Sequence, residues 1–169
     1  MTQPDTTKPD MRQVLLGALA NQREHVLDRL EGLSEEALHR AVLPTGWTPL
    51  GLVQHLALDV ERFWFRQVMM AEQFEAGPVD GNAWEVGPDV SGPTVLDLYR
   101  QQAERADEII AGLPLDAAPA WWPDFFGSFR MHSLGEIIMH VITETACHAG
   151  HLDTVRELID GQTWLILTK

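Results

Sequence analysis

Four long stretches of this chain repeat apolar residues at three- and four-residue spacings, and the breaks between them are rich in proline and glycine. Such stripes are buried by laying helix against helix, so the pattern predicts an all-α four-helix bundle. The first stretch, from about Met11 to Leu33, places Val14, Leu15, Ala18, Val26, Leu27 and Leu30 between charged residues and ends at Gly32. Ser34 then caps a short helix reaching His39. Thr48 followed by Pro49 is a cap with proline in the first turn, and the apolar pattern from Leu50 to about Phe74 predicts the second long helix. A third opens at Pro93 or Thr94 and closes near Gly112. Ser133 caps the last, which runs to Asp160 before Gly161. The connections from Gly77 to Pro93 and from Pro114 to Met131 are long enough to cross the bundle. The tail TWLILT favours β structure, yet one segment cannot make a sheet.

Length and charge narrow the function classes. A chain of 169 residues that is 45% hydrophobic fits one domain, spanning 1–169 with a flexible start over residues 1–10. Twelve Lys plus Arg against 25 Asp plus Glu give a formal charge of -13, which repels phosphate backbones and anionic lipid, so neither nucleic acid nor membrane is an expected partner. The N-terminus lacks the basic start and apolar run of a secretory signal, and no stretch approaches the ~20 apolar residues of a membrane span. These features predict a cytoplasmic protein. The single cysteine, Cys147, excludes an internal disulfide. Only Lys8 and Lys169 are lysines, against ten arginines, the composition of a GC-rich genome.

The last helix carries the chemistry. With His140 as zero and 100° per residue, His151 falls at about 20°, Glu144 at about 40° and His148 at about 80°. Ile137, Cys147, Val155 and Leu158 share that sector, so the stripe is expected to turn inward, carrying four ionisable groups where a helix normally places leucine. Burying a polar group without a partner costs roughly 2–7 kcal/mol, so these residues need a metal ion or a hydrogen-bond network. A lone histidine on an apolar face is ordinarily a core residue bonded to a carbonyl. His140 and His148 are about 12 Å apart along the axis and cannot chelate together, whereas Glu144 with His148, His140 with Glu144, or His148 with His151 can. A further ligand must come from another helix. His55, set in GLVQHLAL on a face with Leu52, Asp59, Phe63 and Arg66, is the candidate. Two imidazoles and one carboxylate with a vacant position match a catalytic metal site.

The stretches GWTPLGLVQHLALDVERFWF and HVITETACHAGHLDTVRELIDG resemble the DinB-like bundle superfamily, especially the branch of mycothiol-dependent maleylpyruvate isomerases and S-transferases. In many relatives the last helix reads His-x-x-x-His-x-Gly-Gln. Here Glu144 takes the first of these positions, His148 the second and Gly150 the glycine, while His151 replaces the glutamine. The resemblance implies a ligand set of His55, Glu144 and His148 around one divalent ion, and these hard or borderline donors suit zinc or nickel. It also implies mycothiol as a small-molecule thiol presented to an electrophile. A bound cation favours the nucleophilic thiolate at neutral pH.

Other residues have two readings each. Asp59 and His151 are candidates for orienting a ligand or touching substrate, and Arg62, Arg66 and Arg130 for binding a substrate carboxylate, although solvated side chains are the ordinary case. Cys147 reads as a small buried hydrophobe. Trp121, Trp122, Phe125, Phe126 and Phe129 read as a pocket wall, a core plug or a homodimer surface. Three functions remain: S-transfer to, or isomerisation of, a small electrophile by mycothiol; metal-assisted hydrolysis; and non-catalytic, stress-related metal or ligand binding.

Overall fold

A computed structural model describes residues 10–74 and 82–165. Of the start expected to be flexible over residues 1–10, residues 1–9 lie outside the described residues, as do the Gly77–Gly81 part of the first crossing and the end of the TWLILT tail, whereas Asp10 is fixed as a helix cap. Helix α1 (Met11–Leu30) starts from a capping box between Asp10 and Gln13. A one-turn α2 (Glu35–Leu38) is capped by Ser34. Thr48 caps α3 (Pro49–His55) through its hydroxyl, which accepts from the Gly51 N–H. Helix α4 (Gly92–Gly112) is capped by Ser91, and α5 (Leu134–Asp160) by Ser133, with Gly161 at φ 78° closing it in the left-handed conformation. No strand forms among the described residues. Beyond Gly161 the chain folds back, and Trp164 stacks on His25 and under Arg29.

The second long helix departs from the expected course. After His55 it widens into a π-helical segment, Leu56–Val68, illustrated at its end by the Met69 N–H bonding five residues back to the Trp64 carbonyl. The sequence explains why. Leu56, Val60, Trp64 and Val68 form one buried series at strict four-residue spacing, and Ala57, Glu61 and Phe65 form another. At about 100° per residue each step of four drifts by about 40°, so an α-helix would swing the ends of both series apart. More residues per turn keep them aligned. The segment also ends earlier than the expected Phe74, because Ala71 takes φ 53° and the Glu72 N–H bonds back to the Arg66 carbonyl.

Helix α1 packs chiefly on α5, and α4 on α3 and the π segment, which also meets α5. The buried residues form one apolar cluster. On α5 the buried face, with Leu134, Val141, Thr145, Leu152 and Val155, centres at about 120° in the frame above. The His/Glu stripe is therefore the flank of the buried face, which corrects the expectation that it turns fully inward. Cys147 and Leu158, expected inside, are exposed, because their angles put them beyond the packed sector.

Within the core, Arg23 of α1 donates to both Glu61 carboxylate oxygens at 2.6 and 2.7 Å and to Asp107 of α4 at 2.7 Å. Burial opposes the guanidinium charge, but Glu61 and Asp107 more than compensate and raise Arg23 above its ordinary value. This network joins α1, the π segment and α4. Removing one partner leaves a buried charge unpaired, so Arg23→Ala should cost about 3–5 kcal/mol by urea denaturation, whereas Arg23→Met with Glu61→Leu should recover most of that.

Candidate functional site

His55 stands where α3 gives way to the π segment, and the first crossing is pressed against it. Gly51 lets the chain approach, since a Cβ there would collide with the Trp84 carbonyl. The Gln54 amide donates to the Ala83 and Glu85 carbonyls at 2.9 and 3.1 Å. These contacts lay the Trp84 ring parallel on the His55 imidazole, with centroids 4.2 Å apart at 19°. Trp84 also meets His148 edge-on at 5.5 Å.

The ionisable groups then form a connected cluster. Asp59 Oδ2 lies 3.0 Å from His55 Nδ1, leaving Nε2 to face Glu144 Oε1 at 3.8 Å. The other Glu144 oxygen lies 3.1 Å from His140 Nε2. His148 and His151 bring their Nδ1 atoms to 3.4 Å. One donor atom each from His55, Glu144 and His148 lies within 4.8 Å of the others, so these three could hold a metal ion. His140 instead holds a carboxylate oxygen, and His151 touches His148 beside Trp47.

The electrostatics suit a cation. Burial disfavours a charged His55, but Asp59 and Glu144 outweigh this and push it up to about 9. Burial likewise opposes the Glu144 carboxylate, yet His140 and His55 pull it down to about 2. His148 falls to about 4 because it is partly buried and faces the His55 charge, only partly offset by Glu144.

A pocket of about 640 Å³ opens at the cluster. His55, Asp59, Glu144 and His148 border it on one side, and Phe63, Trp64, Phe125, Phe126 and Phe129 on the other. Trp122 backs this wall against Trp64 and Phe126, while Trp121 does not line the pocket. Cys147, read from sequence as buried, lines the opening. Arg62 and Arg66, expected near His55, do not border the pocket: both guanidinium groups lie over Phe74, and Arg66 bonds Glu72 and Gln102. The wider turn carries position 66 off the His55 face while keeping Asp59 and Phe63 on it. Arg130 lies over Trp122 and lines a neighbouring hollow. Sequence reasoning missed Trp84 and Trp64. A tryptophan amid glycines and prolines needs a surface to cover, and that was the available signal for Trp84.

The architecture defines a class: an all-helical bundle with an open His/Glu/His group between two of its long helices. The model of the mycothiol-S-transferase family matches residues 14–161, and the chain belongs to that family. A search of curated proteins finds no match. No helix among the described residues is long and apolar enough to cross a membrane.

The shifted groups set the pH response of chelator-treated protein. His55, raised from its ordinary 6.5, contributes stability that is full below 6.5 and lost as pH rises to about 9. Glu144 contributes above 4.5 and loses it as pH falls toward about 2, and the depressed His148 costs stability as pH falls from 6.5 to about 4. Histidine NMR titration should place His55 far above His148, and Asp59→Asn should bring His55 back toward its ordinary range. An unchanged His55 titration in that variant would contradict the assigned contact.

Proposed function

We propose that His55, Glu144 and His148 hold one divalent ion, zinc or nickel, and that the protein uses it with mycothiol in S-transfer to, or isomerisation of, a small electrophile. The carrying observation is the convergence of two imidazoles and one carboxylate from two elements within 4.8 Å beside an open pocket. The donor set fits such an ion, and an ion bound there would favour the thiolate form of the thiol.

The chain's own residues do the rest. Asp59 fixes the His55 ring with Nε2 forward, the carboxylate–histidine arrangement common around metals, and His151 stands in the same relation to His148. His140 restrains Glu144. On the far side of Trp84, a groove of about 1070 Å³ offers Thr48, Glu85, Asp89 and Ser91 as partners for the sugar hydroxyls of the thiol. Family membership supports the thiol, and the aromatic wall offers the target an apolar surface beside the ligand group.

Metal analysis should find about one ion per chain, and His55→Ala or His148→Ala should lose it while keeping the helical circular dichroism. Full metal content in either variant would move the site, toward His140 or His151. Because His55 holds a proton up to about 9 whereas Glu144 and His148 shed theirs well below neutrality, loading at pH 7 should release about one proton per ion. Calorimetry in two buffers of different ionisation enthalpy reads that number, and the release should fade above about pH 9. Metal-loaded protein with mycothiol should conjugate monochlorobimane faster than background, and Glu144→Ala should lose the excess. Turnover that needs no thiol, or a different one, would overturn the mycothiol assignment.

A further inference from the structure

The pocket beside the ligand group has two unlike walls, and the contrast bears on the acceptor. Trp64 is almost fully buried and lies parallel to Phe126 at 5°, with centroids 5.6 Å apart. Phe63 meets both Trp64 and Phe126 edge-on. Phe125 and Phe129 remain 74% and 49% exposed at the mouth, so large apolar surface stays in water where a ligand would enter. The charged side chains are equally telling. Among the described residues bordering the pocket, no lysine or arginine is present; the carboxylates are Asp59 and Glu144 and the imidazoles His55, His140 and His148, and the phenylalanines of the opposite wall have no cationic side chain among them. The arginines that could have served are engaged elsewhere, Arg66 with Glu72 and Gln102, and Arg130 over Trp122.

Resting on the thiol-transfer reading of this site, we infer that the acceptor is a flat, uncharged aromatic electrophile and that a carboxylate on the ring opposite the reacting carbon is rejected. An aromatic ring entering the pocket removes its own apolar surface and that of Phe125 and Phe129 from water, and packs against rings already arranged edge-to-face. A carboxylate on the ring opposite the reacting carbon points away from the imidazoles and the proposed ion, loses its hydration among Phe63, Phe125, Phe126 and Phe129, and finds no guanidinium or ammonium partner there. For a chloroarene the balance is simple. The thiol proton passes to solvent, the sulfur lone pair forms the new C–S bond, and chloride leaves with the electrons of the broken C–Cl bond.

Metal-loaded full-length protein with mycothiol should be given 2-chloro-1,3-dinitrobenzene and 4-chloro-3,5-dinitrobenzoate, which share the leaving group and both flanking nitro groups and differ in the carboxylate opposite the reacting carbon. After correction for the uncatalysed rates, kcat/KM should favour the uncharged compound at least tenfold. Phe125→Arg, at an exposed position that the fold tolerates, should shrink or reverse that preference, and Phe125→Ala with Phe129→Ala should raise KM more than it lowers kcat. Binding of the unreactive 1,3-dinitrobenzene, read by tryptophan quenching without thiol, should exceed that of 3,5-dinitrobenzoate. Equal or better handling of the carboxylate overturns this inference and leaves thiol transfer standing. Selective binding without turnover of either chloride does the opposite, upholding the pocket's preference while removing the transfer reading. Absence of both binding and turnover overturns the two together.

Discussion

A helix whose buried residues recur every four positions cannot stay α-helical and keep them all buried. The Leu56–Val68 segment resolves this by widening, and the rest of the molecule is arranged around the result. One four-spaced series, Leu56 to Val68, enters the apolar core. A second carries Glu61 to its buried pairing with Arg23, which binds α1 and, through Asp107, α4 to the same segment. A third series, His55, Asp59 and Phe63, faces the pocket. The conformation that packs the core thus also lines up a ligand candidate, its orienting carboxylate and an aromatic wall.

The cluster that α5 forms with His55 is a problem in desolvation that its members solve jointly. Each of His55, Glu144 and His148 is partly withdrawn from water, and burial alone would drive every one toward its neutral form. The protein instead holds the Glu144 carboxylate ionised through His140 and His55, and the contacts with Asp59 and Glu144 keep the proton on His55. The group that is easiest to discharge is His148. A site that raises one imidazole and depresses its neighbour is organised around a positive charge at its centre, which a protonated His55 or a divalent cation can supply. Because the stripe lies on the flank of the packed face, the centre stays reachable from the pocket. Full burial of the same residues would have closed it.

The first crossing is coupled to this centre through backbone proximity. Gly51 admits the Trp84 carbonyl, Gln54 holds the flanking carbonyls, and the indole covers His55 while bordering the larger groove. The second crossing is tied down comparably, with the Ala120 and Trp121 N–H groups on the Met69 and Val68 carbonyls and the Leu134 and Gly135 N–H groups returning to Ala117 and Leu115. Among the described residues, both long connections therefore contribute to the site, the first through Trp84 and the second through Phe125, Phe126 and Phe129.

Much of this was legible in the chain itself. Caps at Ser34, Thr48 and Ser133, the breaks at Gly32 and Gly161, and the amphipathic stretches between them specify helices by local rules of hydrogen bonding and periodicity, and these hold whatever the helices pack against. The four-residue spacing from Glu144 to His148 is equally local, as is the resemblance carried by His55 and the last-helix motif. The depth of a stripe is not local. Angles on α5 could say that His140, Glu144, His148 and His151 share a sector, but only the packing of α1 and the π segment decided that this sector is a rim and left Cys147 in solvent. Nor could the 100° rule place Arg62 and Arg66, because the widened turn that carries position 66 off the pocket face is a response to burying Glu61 and its neighbours against two other helices. Trp84 over His55 depends on a close approach at Gly51 between segments distant in sequence. The sequence alone determined which side chains are available and on which helix they sit. The tertiary structure decided which of them share a desolvated volume, since desolvation and through-space charge depend on neighbours from other elements.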